Sequence, residues 1–237
     1  TSRVGFHKYT YPKDSTKQVI FDIGAELGHS KMDSAHVKKI NDYEIAGYSL
    51  MSRTMRRSKP TYVYFVARFD QPITNFGTWK DGKLINEKIE EITGENIGAY
   101  VEFDKDQSNE LQMKVAISYT NIEQARLNMD TELDHWNFED VVSESQEEWN
   151  NYLSRIKIKG GTEKQKTKFY TDLWHSLLGR KIMSDVDGKY ADMTGDEKVT
   201  RQVALDENGA PKHQQYNFDA WWGSHWTLNV LWSMVYP

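Results

Sequence analysis

The fold is decided by the stretch ELQMKVAISYTNIEQARLNM (110–129), in which the spacing of apolar residues changes. From Leu111 to Tyr119 every second residue is apolar, which is typical of a half-buried antiparallel strand. Beyond residue 120 the apolar residues recur every three or four positions, as they do on one side of a helix. The stretch therefore predicts that a β part of the chain ends here and that a helical part begins.

Five runs upstream have the same β character, being short, rich in β-branched or aromatic residues and bounded by turn residues. They are RVGFHKYTY (3–11), KQVIFDI (17–23), YEIAGYSLM (43–51), TYVYFVARF (61–69) and GAYVEFD (98–104). Asp81-Gly82 adds a hairpin-type turn signal. Strands at such regular spacing predict an antiparallel β-sandwich over residues 1–120.

Helices are predicted directly after this sandwich. Asn121 can cap a first helix, since its side chain can accept a hydrogen bond from a free backbone N–H. The apolar side of that helix carries Ile122, Ala125, Met129 and Leu133. A second helical pattern covers residues 138–156, and its acidic opposite face is most simply a solvated surface. Residues 121–160 are therefore predicted to be linker helices.

A further helical part is predicted over residues 161–237. Thr162 and Gln165 have capping-box spacing for its first helix. The apolar side of that helix carries Phe169, Leu173 and Leu177 at four-residue intervals. The run IKIKGG (156–161) before it is predicted to be a short strand that ends in a glycine turn.

The composition narrows the class of protein. Hydrophobic residues make up 38% of the chain and charged residues 27%, which is ordinary for a globular protein. The formal net charge is −5 and the lysines are scattered, so we expect no nucleic-acid partner. No apolar run reaches the length of a membrane helix, so we expect no membrane span. The absence of cysteine excludes disulfides and thiolate metal sites, and it fits cytosolic and exported bacterial proteins alike.

Both ends of the chain have the character of an excerpt. Thr1 is not a start residue, and the closing run LNVLWSMVY (228–236) predicts a buried helix whose covering partners do not follow. We therefore expect any chemistry to be shared with residues outside the chain.

The strongest local signal for a site is YNFDAWWGSHWTLNVLWSMVYP (216–237), which holds four of the eight tryptophans. Indole faces stack well on the C–H surfaces of sugars. The neighbouring Asp219, His225 and Asn229 could bond sugar hydroxyls and would be costly in a dry core without partners. Read as one helix, residues 218–232 carry tryptophan on several sides. Packing between helices is an equally good interpretation of these tryptophans.

Two other patterns are weaker. Asp185-Val-Asp187-Gly188, with Asp192 further on, resembles the start of a calcium loop, but Lys189 and Tyr190 occupy the positions of the next ligand and of the conserved glycine. Carboxylates beside a glycine turn more often fix backbone N–H groups. His175 lies between apolar positions of a predicted helix, so a satisfied, partly buried role is expected for it. No phosphate-binding glycine loop or nucleophile elbow is present.

The run FYTDLWHSLLGRKIMSDVDGKY (169–190) resembles the signature that opens the catalytic domain of glycoside hydrolase family 92. Members are bacterial exo-acting α-mannosidases of N-glycans and yeast mannan. The matching residues are Phe169-Tyr170-Thr171, Leu173, His175-Ser176-Leu177-Leu178 and Ser184-Asp185-Val186-Asp187-Gly188-Lys189-Tyr190. YFVARFDQPI (64–73) and TNIEQARLNMDTEL (120–133) are similar to the family as well, so the resemblance covers nearly the whole chain.

This resemblance implies an N-terminal β-sandwich, linker helices and, over residues 161–237, the beginning of an (α/α)6 barrel. It also implies calcium-assisted, inverting hydrolysis of terminal α-linked mannose by a carboxylic acid and a carboxylate base. The acid, the base and the main calcium ligands are expected beyond Pro237, so the chain alone is expected to be inactive. Mannose-containing glycans are the expected substrates, and a bacterial periplasmic or extracellular location is expected.

One motif departs from the family pattern. Members commonly carry Trp-Asp-Thr-Tyr/Phe-Arg, in which the Trp and the Asp contact the terminal mannose. This chain has Trp221-Trp222-Gly223-Ser224-His225, so Trp222 and His225 replace the Asp and the Arg. Trp221 carries over as a sugar contact, and Asp219 is a neighbouring carboxylate that could substitute for the missing one. The predicted substrate-binding residues are thus Trp221, Trp222, Asp219 and His225.

The departure keeps two alternatives open. The protein could be a divergent member that acts on another α-linked sugar or on a mannosyl-phosphate link. It could also be a non-catalytic carbohydrate-binding domain whose tryptophans only grip glycans. Carboxylates in the acid and base positions of the family would favour an enzyme.

Overall fold

The computed structural model describes residues 1–26, 28–55, 57–85, 89–178, 181–217 and 221–236. The strands of its first half are β1 (Val4–Thr10), β2 (Lys17–Phe21), β3 (Met32–Asn41), β4 (Glu44–Met51), β5 (Thr61–Phe69), β6 (Ile73–Lys80), β7 (Lys83–Ile85), β8 (Glu91–Gly94), β9 (Ile97–Phe103) and β10 (Glu110–Ser118). The later elements are α1 (Ile122–Glu132), α2 (Phe138–Leu153), α3 (Glu163–Leu177), β11 (Lys181–Ile182), β12 (Lys189–Asp192), β13 (Val199–Gln202), β14 (Tyr216–Asn217), α4 (Trp221–Ser224) and α5 (Leu228–Val235).

Two antiparallel sheets form a sandwich. The larger sheet has six strands in the order β1-β10-β5-β4-β3-β8, and the smaller has four in the order β2-β9-β6-β7. Their facing sides form one apolar core, to which Ile45 and Phe69 belong from the larger sheet and Ile97 and Val101 from the smaller. Because β10 ends at Ser118 and helices follow, the predicted change from strands to helices is confirmed.

Four strands of the sandwich, β3, β6, β7 and β8, were not predicted from the sequence. The reason is clearest between β6 and β9, where glycines replace the expected apolar residues. Gly77 lies opposite Tyr100, and Gly98 lies opposite Trp79. A Cβ at Gly77 would lie 2.2 Å from Cζ of Tyr100, so the tyrosine ring occupies the space of a missing side chain. Alternating apolar residues therefore do not mark β6.

Helix α1 covers the outer face of the six-stranded sheet. Its cap is the predicted one, since Asn121 Oδ1 accepts a hydrogen bond from the backbone N–H of Gln124 at 2.8 Å. Ala125, Met129 and Leu133 are buried against Val4, Ala46, Val66 and Ala116 of the sheet. The sheet is therefore a middle layer, with the smaller sheet on one face and α1 on the other.

The later helices form a separate apolar cluster. Thr162 and Gln165 make the predicted capping box at the start of α3. The buried members of the cluster are Leu173, Trp232 and Tyr236. The predicted strand at 156–161 is wrong, because these residues form no strand, and Gly160 and Gly161 turn the chain with φ of +80° and +71°. The bounds at 120 and 160 as domain limits stay predictions.

The packing of α1 predicts how its residues respond to truncation. Met129 is fully buried, so Met129→Ala should lower the free energy of unfolding by about 2–5 kcal/mol. Leu127 lies on the same helix and is 39% exposed, so Leu127→Ala is the matched control and should cost well under half as much. Urea denaturation followed by circular dichroism measures both. Equal losses would show that α1 is not held by its apolar side.

Candidate functional site

The predicted sugar-contacting segment is described in part. Asp219 and the side chains of Trp221 and Trp222 lie outside the described residues, so their role stays a prediction. The described backbone forms α4 and, after a turn, α5. The prediction of one continuous helix is therefore wrong. Thr227 has a φ of −143°, outside the helical range, and α5 begins only after it.

His225 lies in the turn between α4 and α5. Its side chain is exposed, and its ring centroid lies 4.8 Å from that of Trp226 with 34° between the ring planes. Trp226 is itself 75% exposed. Such a pair offers an apolar ring face and a hydrogen-bonding imidazole side by side. His225 is thus accessible to a ligand, and its contact with sugar stays a prediction.

Another tryptophan of the segment belongs to the core. Trp232 is 4% exposed and packs with Leu173 and Tyr236. Its Nε1 donates a hydrogen bond to the carbonyl oxygen of Ser176 at 3.1 Å. The alternative interpretation, in which these tryptophans serve packing between helices, therefore holds for Trp232.

The other side of α5 is apolar and exposed. Val230 and Met234, 51% and 77% exposed, lie one helical turn apart on α5. Asn229 Oδ1 is buried and accepts no hydrogen bond from the described residues. The exposed surface of α5 is thus apolar, and the acceptor of Asn229 lies beneath it.

The loop Ser184–Gly188 contains the Ser-Asp-Val-Asp-Gly part of the family-like signature and docks on α1. Asp185 is 1% exposed, and its Oδ1 accepts a hydrogen bond from Asn128 Nδ2 at 2.8 Å. Asn128 Oδ1 in turn accepts one from the backbone N–H of Val186 at 2.9 Å. Burial raises the pKa of Asp185, and hydrogen bonds from Asn128, Thr120 and Ser118 oppose the rise. Asp185 is therefore a buried carboxyl held by neutral groups.

The other two carboxylates of the pattern fix their own loops. Asp187 Oδ1 accepts a hydrogen bond from the backbone N–H of Lys189 at 3.1 Å, and Oδ2 pairs with Lys189 Nζ at 2.7 Å. Partial burial raises the pKa of Asp187, but the hydrogen bonds and charge of Lys189 outweigh this effect and hold that pKa below its ordinary value. Asp192 accepts from Thr194 and pairs with Arg201.

The described residues do not fit a calcium site. Asp187 and Asp192 already have cationic partners. Within the described ranges, no group of three or more His, Asp or Glu side chains could hold a metal ion. The carboxylates beside Gly188 thus have the structural role that was the alternative to a calcium loop.

Sequence reasoning missed a second connection, through Arg3. Its Nε donates to the carbonyl oxygen of Ser184 at 2.6 Å, and one terminal nitrogen donates to Gln214 Oε1 at 2.6 Å. The other terminal nitrogen pairs with Glu132 at the end of α1. An arginine just before an edge strand carries no local signal, since its partners lie far along the chain. Asn128 does carry one, because it is polar within the apolar side of α1.

His175 lies away from these contacts. Its side chain is exposed, and its ring centroid lies 4.9 Å from that of Trp174, so the expected partial burial is wrong. Two residues correspond to about 200° around a helix, which places His175 opposite the buried Leu173.

Sequence models of two domains match the chain. The glycosyl hydrolase family 92 N-terminal domain matches residues 1–118, and the glycosyl hydrolase family 92 catalytic domain matches residues 124–237. The chain belongs to glycoside hydrolase family 92. No curated protein matches it. None of the described helices is both long and apolar enough to cross a membrane.

Solved structures of the family match nearly the whole chain. The family GH92 α-mannosidase BT3965 from Bacteroides thetaiotaomicron is 25% identical, with a TM-score of 0.82 over 97% of this chain and 30% of that one. The same enzyme in complex with mannoimidazole matches with a TM-score of 0.81 over 97% and 29%. The family GH92 inverting mannosidase BT2199 from the same organism, 19% identical, shares the fold with a TM-score of 0.79 over 98% and 29%. This chain thus spans under a third of the length of these structures.

Gly188 provides a test of how the docked loop is built. Its φ is +83°, and a Cβ there would lie 2.6 Å from Cγ2 of Val203. Gly209 has a similar φ of +80° but no atom within 4 Å of the same position, so Gly209→Ala measures the backbone strain alone. That strain should cost about 1–3 kcal/mol. Gly188→Ala should cost clearly more in thermal and urea unfolding. An equal cost would show that the loop can yield to the added methyl group.

Proposed function

We propose that this chain is part of an exo-α-mannosidase that releases terminal α-linked mannose from N-glycans or mannan. The observation that carries the proposal is the match of 97% of the chain to the family GH92 α-mannosidase BT3965, for which a complex with mannoimidazole is also known. Family membership over both domain models supports the same class of activity. Mannose-containing glycans are the proposed substrates.

The proposed reaction is hydrolysis with inversion. One carboxylic acid protonates the leaving oxygen, and a carboxylate on the opposite face of the sugar activates a water. A calcium ion would help to bind and distort the mannose. Since Asp187 and Asp192 are paired with Lys189 and Arg201, and the described residues form no group of three possible metal ligands, we assign the acid, the base and the calcium ligands to other residues. The 237-residue chain alone should therefore release no mannose.

The role that we propose for this chain in the reaction is sugar binding. His225 and Trp226 are exposed and adjacent in the turn before α5. We assign His225, with Trp221, Trp222 and Asp219, to contact with the terminal sugar. Imidazole can donate to or accept from a hydroxyl, and indole faces suit the C–H side of the ring. We also propose a periplasmic or extracellular location, because the substrates are large polar glycans that do not cross a membrane unaided.

The proposal is tested with the natively expressed protein on α-1,2-, α-1,3- and α-1,6-mannobiose, with and without EDTA. We expect release of mannose as the β-anomer in nuclear magnetic resonance spectra, loss of activity in EDTA and recovery with calcium. Binding of mannan without hydrolysis would instead identify a carbohydrate-binding protein.

His225 gives a residue-level prediction. His225→Ala should lower kcat/KM by about tenfold, as expected for a lost transition-state contact of about 1–2 kcal/mol. The melting temperature should stay unchanged because the side chain is exposed. His213→Ala, which also removes an exposed imidazole, is the matched control and should retain full activity. Equal kinetics for the two variants would remove His225 from the sugar site.

A further inference from the structure

We propose that Asn128 is a positioning residue, which holds the loop Ser184–Gly188 against the β-sandwich and thereby sets the place of the segment assigned to sugar binding. Its consequence for hydrolysis rests on the mannosidase function proposed above. Asn128 acts through the loop that it contacts, by hydrogen bonds to Asp185 and to the backbone of Val186.

The side chain of Asn128 joins three parts of the chain. It is fully buried in the middle of α1. Its Nδ2 donates to the carbonyl oxygen of Ile117 in β10 at 2.9 Å and to Asp185 Oδ1 at 2.8 Å. Its Oδ1 accepts from the backbone N–H of Val186 at 2.9 Å. An amide offers two donors and one carbonyl oxygen, so both ends of this side chain are used across the sheet, the helix and the loop.

The loop depends on this amide because its buried carboxyl has no cationic partner among the described ion pairs. Asp185 is 1% exposed, whereas Lys189 pairs with Asp187 instead. The hydrogen bond from Asn128 Nδ2 to Asp185 Oδ1, at 2.8 Å, joins this carboxyl to α1. A buried carboxylate that loses a donor is strongly disfavoured. Loss of Asn128 should therefore release the loop from α1 rather than leave it docked.

A hydrogen-bonded path leads from the loop to the sugar-binding segment. Ser184 Oγ accepts from the backbone N–H of Gln215 at 3.0 Å and donates to Gln214 Oε1 at 2.9 Å. Just before the loop, β11 pairs with β14, and Ile182 lies opposite Tyr216. Strand β14 ends at Asn217, eight residues before His225. A shift of the loop should thus move the strand that leads into α4.

The test places a second carboxylate beside Asp185. Asn128→Asp is isosteric, but two adjacent buried carboxylates cannot both be ionised, so the pair must take up a proton. The pKa of this pair is therefore raised. Below that pKa the pair is protonated and the loop stays docked. As the pH rises through that pKa, the second negative charge destabilises the docked loop. The charged groups around the pair are Lys189 with Asp187 in the loop, Arg3 with Glu132 across β1 and α1, and Lys198, which donates to the carbonyl oxygen of Thr120. All of these charged groups are present in the natural protein and in Asn128→Asp, so they do not account for a difference in pH dependence between the two.

We expect kcat of Asn128→Asp to approach that of the natural protein at acidic pH and to fall by about tenfold or more at alkaline pH, with a smaller change in KM. The double variant Asn128→Asp with Asp185→Asn restores one amide and one carboxylate but not the donor to the Ile117 carbonyl oxygen, so it should abolish the new pH dependence without full recovery of kcat. Asn150→Asp adds the same charge on the exposed surface of α2 and should leave the profile unchanged. The protection factor of the Val186 amide, which removes the intrinsic rise of exchange with pH, should fall with pH in Asn128→Asp alone.

The outcomes separate the two proposals. If the natural protein releases no mannose, the proposed function fails, and exchange at Val186 still decides whether Asn128 holds the loop. If Asn128→Asp matches Asn150→Asp in kinetics and exchange, the positioning role is overturned. If Asn128→Asp unfolds at every pH, recovery of fold and exchange protection in the double variant supports the role. Failure of the double variant to recover them overturns it.

Discussion

The structure depends on the burial of one side of α1 against the outer face of the six-stranded sheet. A β-sandwich covers only the inner faces of its sheets, and an apolar outer face needs another layer. Val66 and Ala116 lie on that outer face and are fully buried, because Ala125 and Met129 of α1 pack over them. The larger sheet is consequently enclosed on both sides. The loop Ser184–Gly188 is in turn attached to this covering helix.

Apolar contact alone would not fix the rotation of α1, and polar contacts along its flanks do so. Glu44, 4% exposed on the sheet, accepts hydrogen bonds from Arg68 at 2.9 Å and from Arg126 at 2.7 Å. Arg68 also pairs with Asp130 at 2.7 Å. A carboxylate shared by two guanidinium groups is a directional contact, unlike packing. With this flank fixed, Asn128 faces the loop on the other side of the helix.

Local patterns predicted the elements whose signals are local. The cap at Asn121 and the capping box at Thr162 follow from residues within one turn, and both are present. Strand β6 was missed because it has a glycine, Gly77, where an apolar side chain is expected. The ring of Tyr100 from the neighbouring strand β9 occupies that space, which no local pattern reveals. Residues 156–161 have the composition of a strand but form none, because a strand also needs a partner that composition does not reveal. Within residues 216–237, composition could not distinguish the buried Trp232 from the exposed Trp226.

A polar residue within the apolar side of a predicted helix is a sequence signal for hydrogen-bond partners outside that helix. Burying the amide of Asn128 costs free energy unless all its groups find partners, so its position implies partners that the helix itself does not supply. Those partners are Ile117 eleven residues before it and Asp185 fifty-seven residues after it. The sequence shows that such a requirement exists, and only the fold shows what meets it. The SDVDG signature and α1 therefore depend on each other. The first aspartate of the signature, Asp185, is buried where the amide of Asn128 donates a hydrogen bond to it.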